Sequence, residues 1–91
     1  MAEPVALDLV VHGRVQGVFF RAFVRAEAER RGVTGRPVNR ADGAVGVHLE
    51  GDRDAVAAVA AACRTGPERA RVDRLERRDG RFEGLIGFAT G

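Results

Sequence analysis

The chain has 91 residues, 45% of them hydrophobic and 31% charged, with 15 basic residues (all arginine) against 13 acidic ones and a formal charge of +2. This is the profile of one compact domain over residues 1–91, large enough for a single core. Seven arginines against six acids in residues 1–50 and eight against seven in 51–91 leave no basic stripe of the kind a dedicated nucleic-acid binder carries.

In chain order, Val5, Leu7, Leu9 and Val11 alternate with Ala6, Asp8, Val10 and His12, a period of two that predicts a strand with one buried face. This apolar run is short and broken by Asp8, so neither a signal peptide nor a membrane span is expected, and the expected setting is the cytoplasm. A glycine-bearing stretch, G-R-V-Q-G-V-F-F-R, follows from Gly13 to Arg21. Phe20, Phe23, Val24 and Ala28 then recur at helical spacing, with Arg25, Glu27, Glu29 and Arg30 on the solvated side, and Gly32 suits the helix C-cap. One of Phe19 and Phe20 is expected to anchor this helix in the core.

A short strand is predicted around R-P-V-N-R, and the Asp42-Gly43 pair before A-V-G-V-H-L-E signals a hairpin turn. Val56, Val59, Ala60 and Cys63 mark a second amphipathic helix, capped by Asp52 or Asp54 and ended by T-G-P at Thr65–Pro67. Cys63 is the lone cysteine, which excludes an internal disulfide, and its place on the apolar face makes it core. R-V-D-R-L-E-R alternates again from Arg71, Asp79-Gly80 turns the chain, and Phe82 to Ala89 forms a candidate last strand. The order β-α-β-β-α-β with two amphipathic helices predicts an α+β, ferredoxin-like sandwich: an antiparallel sheet of four to five strands with both helices on one face.

The stretch between the first strand and helix is the chemical candidate. Gly13 and Gly17 let the backbone curl, the helix behind it supplies unpaired N–H groups and a positive dipole end, and successive N–H groups in such a curl form an anion nest. Arg21, in the first helical turn, offers a planar fork to two oxygens of a phosphate. The plainer alternative is a tight turn with a surface arginine, in a chain where arginine is common. Gln16 either braces the loop or faces solvent, and the side chain of Arg14 points outward as surface or as electrostatic steering.

G-R-V-Q-G-V-F-F-R resembles the signature of the acylphosphatase family, G-x-V-Q-G-V-x-[FY]-R, at every fixed position. The resemblance continues through N-R-A-D-G-A-V, L-E-G-D and T-G-P-x-x-A-x-V at Thr65–Val72, and so spans nearly the whole chain in order. It implies the same sandwich fold and hydrolysis of acyl phosphates to a carboxylate and inorganic phosphate, with no cofactor and no metal. The backbone of Gly13, Arg14, Val15, Gln16, Gly17 and Val18 is then the phosphate cradle, Arg21 grips the phosphoryl oxygens and Asn39 holds the attacking water. A carboxylate leaving group, with a conjugate-acid pKa of about 4, departs without being protonated, so no general acid is needed. Charge stabilisation and positioning of water then suffice.

Near Asn39 the chain departs from the family pattern, reading G-R-P-V-N where G-W-V-x-N is usual. Arg36 replaces an aromatic residue, and Pro37, which lacks an N–H, fits a strand only at an edge or a non-bonding position. This departure sustains one rival reading, a non-catalytic phosphate or carbamoyl-phosphate binding module of the same fold. An RNA-recognition-motif domain shares the topology, but the chain has no Trp or Tyr and five Phe, and nothing in it reads like that motif. His12 and His48 have no spaced Cys, His or acid partner and read as strand-face residues, not metal ligands. The partners expected are therefore a small acyl phosphate and its phosphate product, with no nucleic acid and no membrane, acting on a monomer.

Overall fold

The computed structural model describes residues 3–89. Within them the chain runs β1 (Pro4–Arg14), α1 (Phe20–Arg30), β2 (Thr34–Asn39), β3 (Val45–Asp52), α2 (Arg53–Thr65) and β4 (Arg71–Asp79). The strands form one antiparallel sheet in the order β2-β3-β1-β4.

Register explains why one face of this sheet is the core. Leu7 lies opposite Leu49, Leu9 opposite Val47 and Val11 opposite Val45, so the apolar sets of β1 and β3 fall on the same side. There they pack with Phe20, Val24 and Ala28 of α1 and with Val56, Val59, Ala60 and Cys63 of α2, all buried. Both helices therefore cover one face, and the apolar positions are those that the helical spacing marked. No helix among the described residues is long and apolar enough to cross a membrane.

Helix ends follow local chemistry. After α1 the N–H of Gly32 bonds to the carbonyl of Glu29 (3.3 Å) and that of Val33 to the carbonyl of Ala28 (2.9 Å), a Schellman closure with Gly32 at φ +69°. At α2, Asp52 holds the N-cap position but makes no side-chain cap bond. Asp54 in the first turn favours the helix through its dipole instead.

The fifth strand does not form: from Phe82 to Ala89 only Phe88 pairs, in a single parallel bridge with Gly35. The segment leaves β4 and crosses the face of the sheet opposite the helices. Gly80 donates to the carbonyl of Ala6 (3.0 Å), and the N–H of Glu83 donates to Glu50 Oε2 (2.6 Å). At the far edge Gly35 donates to the carbonyl of Gly87 (3.1 Å) and accepts from the N–H of Ala89 (3.0 Å). Gly84 and Gly87 take positive φ, which breaks the extended run, and one of its N–H groups goes to a side chain where a strand would use a ladder.

Candidate active site

β1 ends at Arg14, and residues 15–19 carry the chain to α1. Val15 and Val18 are buried and pin the loop to the core at two points. Between and beyond them Gly17 (φ +72°) and Phe19 (φ +62°, ψ +23°) are left-handed, which curls the backbone. A non-glycine residue held in this region marks local strain of the kind found at functional sites.

The start of α1, with Phe19 as its N-cap residue, has neither a side-chain cap nor an acid in the first turn to neutralise its dipole. The N–H of Phe23 is satisfied by the carbonyl of Phe19 (3.0 Å), so the positive end of the helix dipole is left to the loop side. Arg21 rises from this first turn, half-buried.

Asn39 comes from the opposite side, at the end of β2. Because β2 is an outer strand and Gly35 turns its N–H and carbonyl outward to residues 87–89, Pro37, two residues on, also faces away from β3. The proline thus sits where no N–H is required, and its ring is buried. Arg36 projects from the other face and makes a two-pronged ion pair with Glu83, Nη2 to Oε2 at 3.1 Å. Neither departure from the family pattern displaces Asn39 from the end of the strand.

A cavity of about 330 Å³ lies between these elements, lined by Val15, Gln16, Gly17, Phe19, Phe20, Arg21, Ala22 and Asn39. Of the residues singled out from the sequence, Val15, Gln16, Gly17, Arg21 and Asn39 meet here. Gly13 and Arg14 do not line the cavity. They belong to β1, opposite Val72 and Arg71 of β4, beside a register shift between His12 and Gly13. Val18 turns its side chain into the core.

Two points that the sequence leaves open are decided by the fold, and one lining residue is not marked in the sequence. Phe19 is 73% exposed and stands at the cavity, while Phe20 is the core anchor, its ring 6.2 Å from that of Phe23. The helical register of Phe20, Val24 and Ala28 was the signal that could have separated the two phenylalanines. Ala22 was not singled out at all. Gln16 is a brace: its Nε2 donates to the carbonyls of Arg40 (2.8 Å) and Ala44 (2.9 Å), in the turn that joins β2 to β3. That turn is itself held by Asp42 Oδ1, which accepts the N–H of Ala44 (3.0 Å). This bond, with Arg40 beside it, keeps the Asp42 carboxyl below its ordinary range.

Most other ionisable contacts lie on the face of the sheet opposite the helices, away from the cavity. His12 Nε2 is 2.5 Å from Glu76 Oε2. His48 is wedged between two carboxylates, Nδ1 at 2.6 Å from Asp8 and Nε2 at 2.6 Å from Glu50. An acceptor on each ring nitrogen favours the doubly protonated ring. Burial opposes that charge, but the bonds to Asp8 and Glu50 outweigh it and raise the His48 pKa. Burial likewise opposes ionisation of Glu50, yet the bonds from His48 and from the N–H of Glu83 hold it below its usual range. Among the described residues no group of three or more His, Cys, Asp and Glu side chains is placed to hold a metal ion.

Comparison with known proteins identifies the family and the fold. The family model described as acylphosphatase matches residues 7–88. The chain is 48% identical over 85 residues to an acylphosphatase of a Nocardioides species, covering 93% of this chain and 86% of that one. It is similar to the crystal structure of acylphosphatase from Bacillus subtilis, with a TM-score of 0.88 and 35% identity over 92% of this chain and 94% of that one. A Coxiella burnetii acylphosphatase structure gives the same TM-score at 32% identity, over 93% and 90% of the two chains.

Proposed function

This chain belongs to the acylphosphatase family, and from that membership we propose that its Val15–Phe19 loop and Arg21 hold the phosphoryl group of an acyl phosphate while Asn39 holds the attacking water. The supporting observation is that Arg21, the loop and Asn39 line one cavity at the acid-free start of α1. Oriented N–H groups and a guanidinium fork stabilise charge on the equatorial oxygens, and the amide of Asn39 fixes the water in line with the leaving group.

The reaction balances without a metal or cofactor. The water oxygen bonds to phosphorus, and the bond between phosphorus and the acyl oxygen breaks with its electron pair going to the carboxylate. The water protons finish on phosphate. Asn39 is no base, so a phosphoryl oxygen accepts the first proton. An alkyl phosphate, whose leaving group is far more basic, is a poor substrate. The outward position of Pro37 and the pairing of Arg36 with Glu83 leave Asn39 at the end of β2, which supports the catalytic reading over a non-catalytic binding module. The unit proposed is a monomeric domain over residues 1–91, working in the cytoplasm.

Hydrolysis of acetyl phosphate in the presence of a chelator tests the reading. Arg21→Ala is expected to lose both inhibition by inorganic phosphate and turnover. Asn39→Ala is expected to lower kcat by about 100-fold while changing the phosphate inhibition constant little. Full activity in either variant refutes the role assigned to that residue.

A further inference from the structure

The cradle and the water-holding residue come from different parts of the chain, and Gln16 is the side chain that joins them. Arg40 directly follows Asn39, and its N–H bonds to the carbonyl of Ala44 (2.9 Å) while its carbonyl accepts from Gly43 (3.2 Å). The Gln16 amide spans the mouth of this turn, giving one hydrogen to the Arg40 carbonyl and the other to that of Ala44. Gln16 itself is flanked by Val15, which is buried, and Gly17, which has no side chain to hold it. Its amide is thus a two-point tie from the middle of the loop to the residue next to Asn39.

We infer that Gln16 is a positioning residue: through the Arg40 and Ala44 carbonyls it sets the separation between the phosphate cradle and the Asn39 amide, and so the in-line placement of the water. This rests on the role proposed for Asn39. The tie acts on turnover more than on phosphate affinity. Without it the loop N–H groups and Arg21 still bind phosphate, but the β2–β3 turn is free to drift. Reactions that depend on in-line geometry lose rate steeply with displacements near 1 Å.

A double-variant cycle tests this, with kcat for acetyl phosphate, the inhibition constant of inorganic phosphate and thermal stability measured for each protein. Gln16→Leu removes both donors. Gln16→Met keeps the length without donors or added charge, and it serves if Gln16→Leu fails to fold. The expected result is a fall in kcat of about 10-fold with phosphate inhibition changed less than about threefold. In the Asn39→Ala background the same change should cost less than about twofold, because the water it positions has already lost its holder. An equal loss in both backgrounds overturns the inference, as does a loss of phosphate binding that matches the loss of rate, or a lower melting temperature with kcat unchanged. If Asn39→Ala alone is fully active, the proposed function fails instead, and the two failures are distinguishable.

Discussion

Replacing Gly13 by alanine separates two roles that the family signature merges. Gly13 lies in β1 at φ +131°, and a Cβ built there would stand 2.1 Å from the carbonyl oxygen of Arg71 and 2.8 Å from the amide nitrogen of Asp73. Both are backbone atoms of β4, so no side chain can swing aside. Holding a non-glycine residue at such a φ costs about 1–3 kcal/mol. Forcing β4 away adds about 1–3 kcal/mol of overpacking. A total of about 2–6 kcal/mol compares with about 5–14 kcal/mol for a domain of this size. At about 4–8 °C per kcal/mol, the melting temperature should fall by about 8–48 °C. The assay is urea and thermal unfolding by circular dichroism, with the phosphate inhibition constant measured on the folded fraction at low temperature. Gly17→Ala is the mirror case: its Cβ meets nothing within 4 Å, so stability should fall by about 1 kcal/mol from the left-handed φ alone. Its methyl group is added to a residue that lines the cavity, however, and phosphate binding should weaken. If Gly13→Ala leaves stability within about 1 kcal/mol of the parent but abolishes phosphate binding, the argument from the β1–β4 contact is wrong.

Three further outcomes follow from groups elsewhere in the molecule. The raised pKa of His48 contributes stability that is complete below its unfolded value of about 6.5 and is lost as pH rises through the folded value. The lowered pKa of Glu50 acts at the other end, contributing above about 4.3 and fading as pH falls through its folded value. Stability should therefore decline above about pH 6.5 more steeply in the parent than in a His48→Gln/Glu50→Gln double variant, and parallel pH curves would exclude this account. Burial pushes the Cys63 thiol up to about 12, so a disulfide reagent should label it only at the rate of global unfolding. Fast labelling of the native protein would contradict its place in the core. Phe19→Ala should reduce kcat/KM about three- to tenfold for benzoyl phosphate and little for acetyl phosphate, since an exposed ring beside the cavity meets only the larger acyl group; equal effects on both would remove Phe19 from the substrate path.

What was legible in the sequence was what is encoded within one element. Val56, Val59, Ala60 and Cys63 are buried as their spacing implies, and Leu7, Leu9 and Val11 alternate inward as written. Arg21 and Asn39 carried the resemblance, and both line the cavity. What stayed hidden depends on register between distant segments. The sequence leaves Gln16 open between brace and solvent because its acceptors lie 24 and 28 residues away, and only the folded hairpin brings them near. The segment from Phe82 to Ala89 has strand-like composition, but its partners are the Glu50 carboxylate and the outer side of Gly35, and no local pattern announces either. Pro37 looked hazardous because its harmlessness depends on which way β2 faces.

That same outer side of β2 has a consequence for handling the protein. A sheet edge with free N–H and carbonyl groups invites a foreign strand, and here the two edges are guarded by different means. β4 presents R-V-D-R-L-E-R-R-D, in which every residue but Val72 and Leu75 is charged. β2 carries Gly35, Pro37 and an exposed Val38, and the outward N–H and carbonyl of Gly35 are taken by Gly87 and Ala89. Trimming the chain before Gly87 would uncover the Gly35 N–H and carbonyl on an edge whose one charge is Arg36, and the shortened protein should aggregate under conditions where the full chain stays dispersed.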